Sequence, residues 1–442
     1  MSLSKNRKHQ YSYFFILSIY SIFNGGNSNI LIQINFILIS LFFLYCLRDK
    51  NYYLHFKFFY IKNKISIFFY LSFISYLIFQ LIPIPIEYLK IFSPEKYYYI
   101  SELKTNILFS QITLSPSNSY FQIFNFISLF FLIFILKMIF YTNRHKNRFY
   151  LFFSLIGFFS ALFAILMYLN GNPDFLIFEK SYRSSSTGFF INRTVFAVFL
   201  LFCLIASLDF LKNLNDIKLN QKKDNFFLKI YIRIFIIFIS IGIITSFSRI
   251  GNFLLLITVL AYLINEFFFS KSNNNSFRNI ILLIVLFDII ILGFYFGSTE
   301  LFNRFLFLKE EIYEINSSEV NLSRFEVAKF ALNQIYNFKF FGYGAGSFET
   351  LFQIKFNNLD YSYADHAHSD IIEFIGEFGL VGISLFIFSL SKFIFNSKNY
   401  NFLNLILVSY LIILLGFDFS LHVPLIQILF IIFFILNKRS IQ

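Results

Sequence analysis

Residues 226–269 read FFLKIYIRIFIIFISIGIITSFSRIGNFLLLITVLAYLINEFFF. Two apolar runs, 228–246 and 250–269, are separated by a short turn that holds Arg249. Each run has about the 20 residues that a helix needs to cross the hydrocarbon core. In lipid, a single apolar segment satisfies its own backbone polar groups only as a helix. The pair therefore reads as two membrane-spanning helices joined by a tight turn.

The same pattern recurs at 29–47, 65–83, 119–141, 149–169, 188–210, 279–297, 369–391, 401–417 and 419–437. A shorter run, 11–23, follows Lys5, Arg7 and Lys8 as a signal peptide would. No small-residue cleavage site comes after it, only Asn24-Gly25-Gly26-Asn27, so it reads as the first span. The fold class is an all-α polytopic membrane protein of about twelve transmembrane helices. Spans 1–9 occupy 1–297, a large loop 298–368, and spans 10–12 residues 369–442. Composition agrees. The 442 residues are 57% hydrophobic and 14% charged, against about 25% charged in a soluble protein. The 72 Phe and absent Trp reflect codon bias rather than function. Cys46 and Cys203 both lie inside apolar runs, which excludes a disulfide framework or a Cys-ligated metal.

The net charge of +13 is a matter of membrane orientation, not of nucleic acid, because the cations sit in short loops. The N-terminus, 47–64, 142–148, 211–227, 270–278, 392–400 and the tail are basic and fall on one side of a twelve-span layout. Loop 298–368 has six Lys/Arg against nine Asp/Glu and falls on the other. The positive-inside rule puts both termini in the cytoplasm and that loop, with 84–118, outside.

Six histidines occur. His9, His55 and His145 read as solvated residues of basic loops, and His422 as a polar group at the start of the last span. His366 and His368 stand apart, in Ala364-Asp-His-Ala-His-Ser-Asp370, where the outer loop re-enters the membrane. Histidine is the usual base near neutral pH. An interfacial helix start capped by Ser369 or Asp370 explains the same residues as well. Chelation by alternating Asp365, His366, His368 and Asp370 also remains open.

Glu373 and Glu377 follow on one helix face, as an intramembrane pair or a wetted interface. Arg324 opens Ser323-Arg-Phe-Glu326, a capping box for an amphipathic helix over 323–337. There it is either a phosphate fork or a solvated side chain. Arg249 is close enough to hydrocarbon to need a partner, either a lipid headgroup or a substrate pyrophosphate. Gly342-Tyr-Gly-Ala-Gly346 follows no βαβ strand and reads as a backbone turn of unusual φ rather than a nucleotide loop. No Asp-x-Asp pair occurs, which argues against a metal-dependent nucleotide-sugar transferase.

Taken in order, these residues resemble the O-antigen ligase and polymerase family. Its signature of His, then Asn/Ser/Gln, nine residues, Gly, two residues and then Gly/Thr/Tyr is matched by His368-Ser369 through Gly379-Leu-Val-Gly382. Phe341-Gly-Tyr-Gly-Ala-Gly-Ser-Phe348 resembles its G-x-G-x-G-x-F segment. Phe247-Ser-Arg-Ile-Gly251 resembles its Ser-Arg-Gly turn, and Gly188-Phe-Phe-Ile-Asn-Arg-Thr-Val-Phe-Ala197 its G-x-F-x-N-R-N-x-F-A segment. Thr194 and Ile250 depart from it, as do Ala328 and Lys329 after Arg324. The resemblance covers about 188–390.

It implies a GT-C-like fold in a bacterial inner membrane, with a large helical periplasmic loop before the tenth span. It also implies a glycan donor on undecaprenyl pyrophosphate and a periplasmic active site. His368 would be the catalytic base, Arg249 and Arg324 would bind the pyrophosphate, and His366, Arg193 and Glu377 would be accessory. Transfer would invert the sugar carbon and need no metal or cofactor, because the leaving group is already activated. The acceptor would be lipid A-core for a ligase or another lipid-linked repeat for a polymerase. Protein O-glycosylation is a third possibility. Membrane lipid is the remaining partner. A transporter of similar span count would need charges or broken helices in paired halves near mid-membrane, and no such pairing is evident.

Overall fold

The structure is a computed structural model describing residues 3–103, 107–140, 143–174, 183–215, 226–269, 279–280, 282–283, 324–356, 364–394 and 402–437. The described residues are almost entirely helical. Helices α1 (Leu3–Ile22), α2 (Asn29–Leu47), α3 (Lys50–Lys62) and α4 (Lys64–Leu81) come first. An excursion follows, made of β1 (Ile84–Pro85), α5 (Ile86–Phe92), α6 (Pro94–Glu102) and β2 (Phe109–Ser110). The long helices resume with α7 (Pro116–Ile139), α8 (Asn143–Leu169), α9 (Arg193–Asn215), α10 (Phe226–Thr245) and α11 (Arg249–Ile264). The rest are α12 (Arg324–Asn337), α13 (Phe348–Lys355), α14 (Asp370–Ile394), α15 (Phe402–Phe417) and α16 (Pro424–Asn437).

Among the described residues, eight helices are long and apolar enough to cross a membrane: α2, α4, α7, α8, α9, α10, α11 with its short continuation, and α14. Helices α15 and α16 are apolar but shorter. The chain is thus a polytopic, integral membrane protein. The expected span 279–297 lies outside the described residues, apart from 279–280 and 282–283.

Helix α9 is the axis. Its residues Val195 through Leu208 are buried all round, as an all-apolar helix must be. It packs on α8, α10, α11 and α16. Its start is later than 188 because Asn192 caps it, accepting from the Thr194 and Val195 amides at 2.7 and 3.4 Å. The last span starts late for a similar reason. Ser420–His422 forms a 3-10 turn and Pro424 takes the first helical position.

Two histidine expectations fail. His9 is buried, edge-on to Tyr45 at 5.1 Å and beside Tyr52 at 5.2 Å, and His145 is buried as well. Helix α3 forms where only a basic loop was expected. Asp49 caps it and Tyr52 folds inward over His9. His55 on α3 is exposed, and both cysteines are buried thiols.

Candidate functional site

Helix α14 is broken. Gly379 inside it has φ 62° and ψ −179°, a conformation essentially confined to glycine. Carbonyls freed around the break would be costly in a membrane helix unless re-paired. The segment Phe341–Gly344 and the end of α4 pair them. The Tyr343 amide donates to Gly376 O at 3.0 Å and the Gly344 amide to Glu377 O at 3.1 Å. Tyr76 Oη donates to Phe378 O at 3.0 Å, and Gln80 Nε2 lies 3.2 Å from Glu377 O. In return, the Leu380 and Val381 amides donate to Lys339 O and Phe340 O at 3.0 and 3.2 Å. Gly342, Gly344 and Gly346 all have positive φ, so the glycine segment is the backbone turn its sequence implied. It docks the short helices α12 and α13 onto the broken span.

Ahead of α14, loop 364–369 turns under two carboxylates. Glu373 Oε2 accepts from the Ala367 amide at 2.7 Å, and Glu373 Oε1 meets His366 Nδ1 at 3.0 Å. The same Oε1 lies 3.2 Å from His422 Nε2, whose other ring nitrogen bonds Asp370. Asp370 also accepts from the Leu421 amide at 2.9 Å, and its own amide donates to Asp418 O at 3.0 Å. Rings close the cluster. Phe374 stacks on His422 at 4.3 Å, and Phe419 stacks on His366 at 4.7 Å and meets His368 edge-on at 5.5 Å.

His422 is therefore the centre of a buried charge cluster, not merely a polar helix end. Ser369, expected as a cap, instead donates its hydroxyl to Leu415 O at 3.2 Å. Glu377 is buried, and its Oε1 has no hydrogen-bond partner.

The two loop imidazoles are shifted in opposite directions. Burial works against a charge on His366, but the Glu373 carboxylate outweighs it and raises its pKa. Burial and the Arg324 guanidinium push His368 down to about 4, so it is neutral well below neutral pH, as a proton acceptor must be. Burial likewise opposes charge on His422, and Glu373 and Asp370 overcome it. His368 also has φ 55°. A non-glycine residue there is strained, a condition concentrated at functional sites.

The alternating residues 365–370 do not converge as a chelate: Asp370 pairs with His422, His366 with Glu373, and Asp365 is exposed. A different trio, His366, Glu373 and His422, places ligand atoms within 4.8 Å of one another and can hold a metal ion. Both imidazoles converge on one carboxylate oxygen, which is also the geometry of direct ion pairs.

The arginines fall into two groups. Arg324 begins α12, is exposed, and acts electrostatically on both His368 and Asp418. Arg193 and Arg249 begin α9 and α11, and the flanking hydroxyls join: Ser248 Oγ donates to Thr194 Oγ1 at 3.1 Å. Gly251 allows this approach, since a Cβ there would lie 2.4 Å from Ala197 Cβ. Two helix N-termini, each with a guanidinium, thus share one corner, an arrangement that favours anions. The Ser420–His422 turn packs against both α9 and α14, and Val423 beside it meets Gly25 together with Phe190, which lies just before α9, so this corner and the histidine cluster lie at the same end of the bundle.

Sequence reasoning missed Asp418 and the role of His422. Their only signal was polar residues, Asp418-Phe-Ser-Leu-His422, between two apolar runs.

Removing one partner of a buried ion pair costs about 3–5 kcal/mol because the other charge stays buried. Glu373→Ala is therefore expected to lower the thermal midpoint in detergent sharply, and an unchanged midpoint would show the cluster is not charged.

Residues 234–387 match the model of the O-antigen ligase family, over roughly a third of the chain. The match includes Arg249, Arg324, His366, His368 and Glu377. Arg193 and His422 fall outside it. No curated protein matches the chain.

Proposed function

We propose, from the premise that residues 234–387 form an O-antigen ligase family region, that the protein is an O-antigen ligase-type glycosyltransferase. The family supports glycan transfer in general. The finer reading is that a glycan moves from undecaprenyl pyrophosphate to an acceptor hydroxyl of lipid A-core on the periplasmic face of the inner membrane. The observation that carries it is His368, which takes a positive φ of 55° just ahead of α14, with burial and the charge of Arg324 both lowering its pKa.

In this mechanism the acceptor hydroxyl gives its proton to His368 as its oxygen attacks the anomeric carbon. The bond from that carbon to the pyrophosphate oxygen breaks, and its electron pair leaves with the lipid pyrophosphate. One displacement inverts the carbon. Arg324 and Arg249, with Arg193 beside it, stabilise the charge that develops on the leaving group. Guanidinium forks suit phosphate oxygens. Bound pyrophosphate brings negative charge near His368 and offsets the Arg324 cation, so the base strengthens when donor is present. His366 and Glu373 do not touch the reacting atoms in this scheme. They hold the loop that presents His368, and Glu377 lies deeper, behind them. Activation resides in the donor, so neither nucleotide nor metal has a required part.

A strain lacking the protein tests the class. Ligase function is expected to show as loss of all polymer on lipopolysaccharide core, with long lipid-linked chains accumulating. Core carrying a single repeat would instead make the protein a polymerase, and an unchanged ladder would refute both.

A further inference from the structure

The excursion between α4 and α7 is not the polar loop its position suggested. One side is pinned to the site. Leu89 is fully buried, and Phe92 packs on Phe79 at 5.4 Å and on Phe341 at 4.9 Å, beside the glycine segment. Lys96 Nζ donates to Gln111 O at 2.7 Å and Thr113 O at 2.6 Å. Thr113 Oγ1 in turn bonds Ser347 Oγ at 3.0 Å.

The other side is bare and apolar. Tyr88, Ile91, Leu103, Ile107, Leu108 and Phe109 are between 45% and 75% exposed. Large apolar side chains exposed together on one short excursion mark an interaction surface. Ile78 and Ile82, at the outgoing end of α4 from which the excursion leaves, are exposed too. Glu87, Lys90 and Glu102 are exposed among these residues, and Tyr97, Tyr98 and Tyr99 follow in α6. Tyrosines and a snorkelling lysine beside apolar side chains are what a bilayer–water boundary selects.

We propose that α5, α6 and the β1–β2 ladder form an interfacial platform. Its exposed apolar face is buried in the headgroup–acyl boundary of the leaflet on the site's side of the membrane. An amphipathic element of this kind inserts by about 5–10 Å. Through Phe92, Lys96 and Thr113 the platform fixes the height of the glycine segment, and with it the broken helix α14, relative to the lipid phosphates. The partner is the lipid surface itself. The proposal rests on the protein being an integral membrane protein and not on its transferase chemistry.

The chain has no tryptophan, so an introduced one is the sole reporter. Leu108→Trp and, independently, Ile91→Trp are placed in liposomes, with Gln353→Trp on exposed α13 as the aqueous reference. With lipids brominated along the acyl chain, both platform reporters should lose most of their emission, shift to the blue and resist acrylamide, while Gln353→Trp does the opposite. Acrylamide quenching of both platform reporters, without quenching by brominated lipid, would overturn the proposal. The readout is fluorescence, so loss of transfer activity neither mimics nor masks either result.

Discussion

Replacing His368 by alanine is expected to abolish glycan transfer while leaving expression and membrane insertion at wild-type levels. A positioned base accelerates proton transfer about 10²–10⁴-fold, and His368, whose pKa burial and the Arg324 charge lower, is the group proposed for it. Alanine can occupy φ 55° at a modest cost over histidine, so the protein should still fold. The histidine's ring contact with Phe419 at 5.5 Å is peripheral, and the buried pairs run through His366 and His422 instead. Thermal unfolding in detergent separates the two effects. A transfer rate within tenfold of wild type, in variant protein of normal thermal midpoint, would remove His368 from the chemistry.

The second large effect is structural. Gly379→Ala is expected to yield little or no folded protein. A Cβ at this position would lie 2.4 Å from Phe340 O and 2.5 Å from the Gly342 amide nitrogen. Both are backbone atoms, so no side-chain rotation relieves the contact. The φ/ψ combination alone costs about 1–3 kcal/mol without glycine, and the backbone shift would break the paired amides on both sides of the turn. Gly416→Ala is the matched control, since nothing lies within 4 Å of its Cβ. Equal monodisperse yield and equal thermal midpoint for the two variants would contradict the broken-helix account.

The two predictions separate the parts of one sequence motif. In the sequence, His368 and Gly379 appear as one motif. In the structure they do separate jobs. Gly379 breaks a spanning helix so that the external segment 341–346 can dock on it, and His368 stands at the entry of that helix. The apolar pattern continues unbroken through Gly379, because hydropathy records burial in lipid and not the direction of the backbone. The eight long spans among the described residues were legible for the same reason, since length and apolarity decide them; the start of α9 moves from 188 to 193 where Asn192 caps it, and the shorter α16 starts late at Pro424.

Pairings over long separations were not legible. His422 and Asp370 are fifty-two residues apart, and nothing local in either helix signals the other. His9 and His145 looked solvated because their neighbours in sequence are basic, whereas aromatic rings from α2 and α3 cover His9. The segment 84–118 looked polar because short amphipathic helices alternate charged and apolar residues, and sequence alone does not say which side faces lipid. The arginine corner was half legible. Arg249 was legible from its closeness to hydrocarbon and Arg193 only through the family resemblance, and the Thr194–Ser248 bond that places them together needed the fold.

The central claim is that this site moves a glycan off a lipid pyrophosphate. Its most direct measurement uses purified protein in proteoliposomes with undecaprenyl-pyrophosphate-linked glycan, lipid A-core acceptor and no nucleotide sugar. Glycan-bearing acceptor and free undecaprenyl pyrophosphate should form in equal amounts with wild-type protein, and neither should form with His368→Ala. Product that appears only when a nucleotide sugar is added, or transfer that leaves the lipid pyrophosphate donor intact, would contradict it.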